Sequence, residues 1–128
     1  SNLDITLYEH LKPIIGDLDL LAIGMECVGA PYTWCYGALT TQKVSPDIKK
    51  SRRLNGSDSK TAFEIAKLLK PELVYIYALG AEPWFKYVLG VEYDDESKQI
   101  TESQKMVELC CEIDIPAERL YEKKMLTY

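Results

Sequence analysis

The stretch KTAFEIAKLLKPELVYIYALGAEPW, which runs from Lys60 to Trp84, decides the fold of this chain. Its first part has apolar residues at helical spacing and charged residues between them, so it predicts an amphipathic helix. The apolar face carries Ala62, Phe63, Ala66 and Leu69. Ser59 is the expected N-cap, since its hydroxyl oxygen can accept from an unpaired N–H of the first turn. Pro71 is expected to stop the helix because it has no N–H to donate.

A near-continuous apolar run follows from Leu73 to Leu79, rich in β-branched and aromatic residues. Such a run is typical of a strand buried on both faces, in a parallel or mixed sheet covered by helices. Gly80 is expected to end the strand. In open α/β sheets, ligands bind beyond the carboxyl ends of strands, and Glu82 and Trp84 occupy that place here.

A second helix-then-strand unit precedes the first, with a helical pattern over residues 3–15 and an apolar strand over residues 18–25. Two such units predict an α/β fold with helices packed on a sheet. Glu26 and Cys27 follow the earlier strand, in the place that Glu82 holds after the later one. Two carboxylates at neighbouring strand ends suggest a paired acid site or part of a metal shell. The alternative is that each caps a helix or pairs with an arginine.

A loop dense in aromatic residues, GAPYTWCYGAL, follows over residues 29–39. Tyr32 and Trp34 alternate along it, which favours the wall of an apolar pocket. The alternative is a lid that completes the core, because aromatic residues dominate core burial as well. Further on, Arg52 and Arg53 are candidates to clamp a carboxylate or phosphate. Within the chain, Glu26 and Glu82 are equally natural partners for them, and the short basic cluster around them also fits a solvated loop.

Composition narrows the class of protein. The 128 residues make one domain's worth of chain, and the net charge of −5 argues against a nucleic-acid partner. No apolar run is long enough to span a bilayer, and no signal peptide opens the sequence, so we expect no membrane contact and a cytoplasmic location. Four cysteines without a C-x-x-C pair are expected to be reduced thiols. His10 is the single histidine, so a histidine-based metal site or catalytic triad is not expected.

Three segments carry a resemblance to a known family: IGMECVGAPYTWCYGAL (23–39), SRRLNGSD (51–58) and KPELVYIYALGAEPW (70–84). Together with the later ESQKMVE and AERLY, they resemble the C-terminal half of metallo-β-lactamase-fold proteins. The resemblance is to the di-iron oxygenase branch, typified by the β-hydroxylase of chloramphenicol biosynthesis and its cyanobacterial relatives. It runs through nearly the whole chain.

The resemblance implies half of an αββα sandwich, with a mixed sheet and helices packed on one face. The family's H-x-[HE]-x-D-H metal-binding motif lies upstream of the matched segments and is absent here. Hydrolytic relatives carry a last metal-binding histidine at a position that corresponds to Ala78, and this departure favours the oxygenase branch. Residues 1–128 are therefore expected to form the C-terminal portion of one domain. No metal ligand or catalytic residue is assigned to this chain itself.

The function implied is that of a parent enzyme that uses two irons, or zinc in a hydrolase, while this chain alone is inactive. As a di-iron oxygenase, the parent would hydroxylate an aminoacyl group held on a carrier protein in natural-product biosynthesis. The expected partners are the missing N-terminal half, a carrier protein, and a second copy if the chain is expressed alone. The candidates for a pocket or for support around the metals are Glu26, Cys27, Tyr32, Trp34, Arg52, Arg53, Glu82 and Trp84.

Two alternatives remain open at this stage. One is a freestanding α/β binding module that docks a carrier protein or a small acid through Arg52 and Arg53. The other is a metal-dependent enzyme, such as a hydrolase of the same fold, with Glu26, Glu82, Cys27 and His10 as its donor groups. Metal content after purification separates the second alternative from the first.

Overall fold

A computed structural model describes residues 4–31, 37–51, 53–54, 56–79, 86–87 and 93–120. Four helices and five strands lie within these ranges, together with a 3₁₀ turn at Gly37–Leu39. The helices are α1 (Ile5–Ile15), α2 (Pro46–Ser51), α3 (Ser59–Leu69) and α4 (Lys98–Cys111). The strands are β1 (Leu20–Gly24), β2 (Ala30–Pro31), β3 (Arg53–Leu54), β4 (Leu73–Tyr77) and β5 (Ala117–Arg119).

The main sheet has three strands in the order β1-β4-β5, and both pairings are parallel. β1 and β4 run side by side over their full length, from Leu20 opposite Leu73 to Gly24 opposite Tyr77. β2 and β3 form a separate antiparallel ribbon. The predicted α/β class with helices on a sheet is confirmed. In the described residues, the parallel and antiparallel pairings occur in two separate sheets rather than in one mixed sheet.

One face of the main sheet joins the helices in a single core. Ile23, Val74 and Ile76 point to this face and are almost fully buried. α3 and α4 contribute the other large part of the same cluster, with Ala62, Ile65, Ala66, Leu69, Met106 and Cys110. Side chains of α1 pack against its edge. Helices therefore cover one face, as expected from two successive helix-then-strand units.

The opposite face of the sheet is formed by the alternate residues of the same strands, because side chains alternate along a strand. Here Tyr75 is buried, whereas Ala22 and Tyr77 are exposed. The run from Leu73 to Tyr77 is therefore not equally buried on both faces. This agrees only in part with a strand covered by helices on each side.

The ends of α3 correct one prediction and support another. Asp58, not Ser59, is the N-cap, because its carboxylate accepts from the N–H of Thr61 at 2.9 Å. Ser59 is instead the first helical residue. The helix ends at Leu69, where Lys70 adopts a left-handed conformation with φ of 53° just before Pro71. A proline at this position is consistent with the predicted stop.

The later strand ends earlier than the apolar run suggests. β4 stops at Tyr77, and Ala78 then takes a left-handed φ of 55°. This conformation is uncommon for a residue with a Cβ, and it turns the chain out of the sheet. Across the described ranges, every helix is too short or too polar to cross a bilayer.

Candidate functional site

The carboxyl ends of β1 and β4 lie side by side at one edge of the main sheet. Pairing continues one residue beyond β1, where the N–H of Met25 donates to the carbonyl oxygen of Tyr77 at 3.1 Å. Glu26 and Cys27 therefore leave the sheet at this edge. Parallel strands place their carboxyl ends together, so the position predicted for a pocket is formed here by β1 and β4.

The side chain of Glu26 holds the loop that follows it. Its Oε1 accepts hydrogen bonds from the backbone N–H groups of Val28 at 3.1 Å and Gly29 at 3.0 Å. The same oxygen accepts from Nε2 of Gln99 at 3.2 Å, and Gln99 is only 4% exposed. None of these three bonds caps a helix, which was one of the two structural alternatives. The side chains of Arg52 and Arg53 lie outside the described residues, so the pairing of Glu26 with an arginine stays untested. Glu26 ties its own loop to α4.

Gly56 approaches the backbone of the same loop closely. Its N–H donates to the carbonyl oxygen of Glu26 at 2.7 Å. A Cβ on Gly56 would lie 3.1 Å from both the nitrogen of Glu26 and the carbonyl oxygen of Gly24. The absence of a side chain at this position therefore allows the segment before α3 to pack against the end of β1.

Cys27 and Tyr93 lie close enough to Glu26 for its charge to affect both. Burial, and then the charge of Glu26, raise the pKa of the Cys27 thiol above its usual range. Burial and the same charge also raise the pKa of the Tyr93 hydroxyl. Both groups are therefore protonated at neutral pH. A protonated thiol is a poor nucleophile, because nucleophilic attack requires the thiolate.

Buried polar side chains in the described ranges lie just before α3, at its first residue, and in the first half of α4. They are Ser57, Ser59, Gln99 and Ser103. Glu102 joins the two helices, since its Oε2 accepts from the backbone N–H of Ser59 at 3.0 Å and from the Ser59 hydroxyl. Its Oε1 accepts from Lys105 at 2.8 Å. These bonds, from Lys105 and then from Ser59, lower the pKa of Glu102 to about 2.

The lowered pKa of Glu102 predicts a dependence of stability on pH. A folded-state pKa of about 2, below the usual value of 4.5, gives stabilisation that is present above pH 4.5 and is lost as the pH falls toward 2. We expect Glu102→Gln to lower the free energy of unfolding at pH 7 by about 1–2 kcal/mol. The difference from the unchanged chain should shrink steadily between pH 5 and pH 3. Urea denaturation at several pH values measures it.

The matched control is Glu108→Gln, which changes an exposed glutamate on the same helix. This variant should alter the free energy of unfolding by less than about 0.5 kcal/mol at every pH, as is usual for surface positions. A Glu102→Gln difference that stays constant from pH 7 to pH 3 would contradict the role given to the Glu102 carboxylate.

The structure describes only part of the predicted site. It brings Glu26 and Cys27 to the expected strand end and places the backbone of Arg53 in β3, opposite Pro31. Five other candidates lie outside the described residues, so their roles stay predictions: Tyr32, Trp34, Arg52, Glu82 and Trp84.

The sequence reasoning missed Gln99, although a signal for it exists. Gln99 shares one helical stripe with Ser103, Met106 and Cys110, all of which are buried. A polar residue on the apolar stripe of a helix calls for a hydrogen-bond partner, because a buried unpaired amide is costly. The sequence alone does not identify Glu26, which lies 73 positions away, as that partner.

Two irons would need several carboxylate and imidazole ligands converging on one place. In the described part of the chain, no three or more histidine, cysteine, aspartate or glutamate residues are arranged to hold a metal ion. Oε1 of Glu26 already accepts three hydrogen bonds. His10 is exposed on α1, where Nδ1 contacts the carbonyl oxygen of Thr6 at 2.8 Å. Ala78 offers only a methyl group. The described residues do not fit a two-iron centre.

Comparison with known proteins shows what this arrangement is similar to. No family model matches the chain. It is 38% identical over 126 residues to a Streptomyces venezuelae enzyme, the 3-hydroxylase of 4-amino-L-phenylalanyl groups on the CmlP peptidyl-carrier protein. That match covers 98% of this chain and 24% of the hydroxylase.

Solved structures agree with the sequence match. The crystal structure of CmlA, a diiron β-hydroxylase from Streptomyces venezuelae, superposes with a TM-score of 0.83 at 39% identity. The superposition covers 94% of this chain and 23% of CmlA. A point mutant of the CmlA β-hydroxylase gives a TM-score of 0.76 at 38% identity, over 94% of this chain and 22% of the mutant chain. The chain thus spans about a quarter of the length of these relatives.

Proposed function

Because this chain is homologous over 98% of its length to a segment of a diiron β-hydroxylase, we propose that it is part of an enzyme of the same kind. The enzyme would hydroxylate an aminoacyl group held on a carrier protein, and the carrier protein would be its partner. The observation that carries this proposal is the agreement of sequence and fold, with 39% identity and a TM-score of 0.83 over 94% of the chain.

The contribution of this chain is a supporting one. Its described residues build the carboxyl edge of a parallel sheet and fasten the following loop with hydrogen bonds from α4 and from Gly56. Among these residues, no three or more histidine, cysteine, aspartate or glutamate side chains are arranged to hold a metal ion. The irons are therefore proposed to be held by residues outside the described part of the chain, and this chain contributes part of the frame around them.

The test uses the whole protein that contains this chain. It is loaded with iron, reduced chemically, and given an aminoacyl carrier protein and dioxygen labelled with heavy oxygen. Hydroxylation takes one oxygen atom from dioxygen into a C–H bond, and the second leaves as water with two electrons and two protons. The expected product is the aminoacyl group, still on its carrier, with one labelled oxygen added. Mass spectrometry of the carrier measures it.

Other results would contradict the proposal in ways that can be told apart. Release of the aminoacyl group from the carrier without added oxygen would indicate a hydrolase. Binding of the carrier with neither iron nor product would indicate a binding module, the alternative that relies on Arg52 and Arg53.

A further inference from the structure

Gln99 is buried in the first turn of α4, where nothing in the proposed reaction yet requires it. The helix is anchored below it by Met106 and Cys110, which are fully buried in the main core. The position of the Gln99 amide is therefore set by the packing of a rigid helix. Its Nε2 donates to Oε1 of Glu26 at 3.2 Å and lies 3.5 Å from Oε2.

Glu26 connects Gln99 to the backbone of the loop that follows β1. The oxygen that receives the Gln99 amide also receives the N–H groups of Val28 and Gly29. Gly29 is buried with a φ of 71°, and the chain then enters β2, which pairs with β3 and so with the backbone of Arg53. A continuous set of contacts runs from α4, through one carboxyl group, to the ribbon of β2 and β3.

We propose that Gln99 and Glu26 form a positioning pair that fixes the loop of residues 27–29, and through it the β2–β3 ribbon, relative to the carboxyl edge of the main sheet. The effect of the pair on hydroxylation rests on the function proposed above. The effect of the pair on the loop rests only on the hydrogen bonds. Neither residue is assigned contact with the substrate or the irons, so both act through the backbone they hold.

The chemistry of the pair allows a swap experiment. Gln99→Glu places a second carboxyl group against Glu26 and removes the amide donor, so the contact becomes repulsive or requires an added proton. Adding Glu26→Gln restores one donor and one acceptor across the contact. The new amide oxygen can still accept from Val28 and Gly29. Gln99→Met removes the donor at nearly constant volume and without a charge.

The experiment compares four forms of the whole protein with the unchanged one. These are Gln99→Met, Gln99→Glu, the double variant Glu26→Gln with Gln99→Glu, and the control Gln104→Met. Gln104 is an exposed residue of the same helix, and its Nε2 donates to Oε1 of Glu108 at 3.1 Å. Hydrogen exchange of the peptide spanning residues 27–31, iron content, and KM and kcat for the aminoacyl carrier are measured for each form.

We expect Gln99→Met and Gln99→Glu to speed exchange of this peptide about tenfold or more, since a tenfold change corresponds to loss of a single ordinary hydrogen bond. KM should rise about tenfold while kcat changes less than about threefold and iron content is unchanged, which separates positioning from general destabilisation. The double variant and the control should behave like the unchanged protein.

Unchanged exchange in Gln99→Met would overturn the proposal, as would a double variant as impaired as Gln99→Glu alone. If the unchanged protein forms no hydroxylated product, the proposed function fails, and the exchange results still decide whether the pair holds the loop. If Gln99→Glu does not fold, recovery of folding in the double variant supports the pairing, and failure to recover rejects it.

Discussion

Ile76→Ala is expected to lower the free energy of unfolding of this chain by about 2–5 kcal/mol, the usual range for removing a large aliphatic side chain from a core. Ile76 is fully buried on the central strand β4, between Ile23 of β1 and Arg119 of β5 in the strand register. Its side chain lies in the core between the sheet and the helices, so its removal leaves a cavity there. Urea denaturation followed by circular dichroism measures the loss.

The matched control is Ile14→Ala on α1, where the side chain is 80% exposed. The same atoms are removed, but almost no buried surface is lost, and alanine favours a helix slightly more than isoleucine does. This variant should change the free energy of unfolding by less than about 0.5 kcal/mol. Equal losses for Ile76→Ala and Ile14→Ala would show that β4 is not the centre of the core.

Gly56→Ala is expected to lower the free energy of unfolding by about 1–3 kcal/mol, the range typical of forcing an extra carbon into a packed site. The added Cβ would press on two backbone atoms, the nitrogen of Glu26 and the carbonyl oxygen of Gly24, each 3.1 Å away. Gly24 is held in the sheet by its pairing with β4, so it cannot move aside cheaply. The substitution should also weaken the bond from Gly56 to Glu26 and so loosen the loop that Glu26 holds.

The control here is Gly24→Ala, whose Cβ would meet the ring of Tyr77 at an ordinary contact distance of 3.6 Å. The extended backbone of Gly24 suits alanine, so we expect the free energy of unfolding to change by less than about 1 kcal/mol. A Gly56→Ala chain as stable as the unchanged one would mean that this close approach is not needed. Thermal unfolding of the two variants side by side gives the comparison.

Local sequence patterns predicted the order of elements well. The apolar stripe from Ala62 to Leu69 and the apolar run starting at Leu73 correspond to α3 and β4. Pro46 is the first residue of α2, a position that proline favours in helices. These elements were predictable because their periodicity and their stop signals lie within a few residues of one another.

The residues at which helices begin were less predictable. Neighbouring residues can suit the same cap position, and contacts with distant parts of the chain determine which of them takes it. Asp58 and Ser59 both suit a helix cap, and Ser59 is instead engaged by Glu102, 43 positions away. Thr101 and Gln104 have the spacing of a capping box, which would start a helix at Thr101. α4 starts at Lys98, and Thr101 is inside it.

In the candidate site, positions were predictable and contacts were not. The order of helices and strands along the chain placed Glu26 and Cys27 beyond β1, as the structure does. The hydrogen-bond partners of Glu26 could not be predicted, because Gln99 and Gly56 reach it only when α3 and α4 pack on the sheet. The two neighbouring cysteines of α4 also differ, since Cys111 is exposed, while burial raises the pKa of Cys110 to about 11.

We have proposed that the two irons are held by residues outside the described part of this chain. The decisive measurement is the iron content per molecule of the whole protein, before and after the combined replacement of His10, Glu26 and Cys27 by Ala, Gln and Ser. We expect two irons per molecule in both forms. Loss of iron in the variant, with its fold intact by circular dichroism, would contradict it.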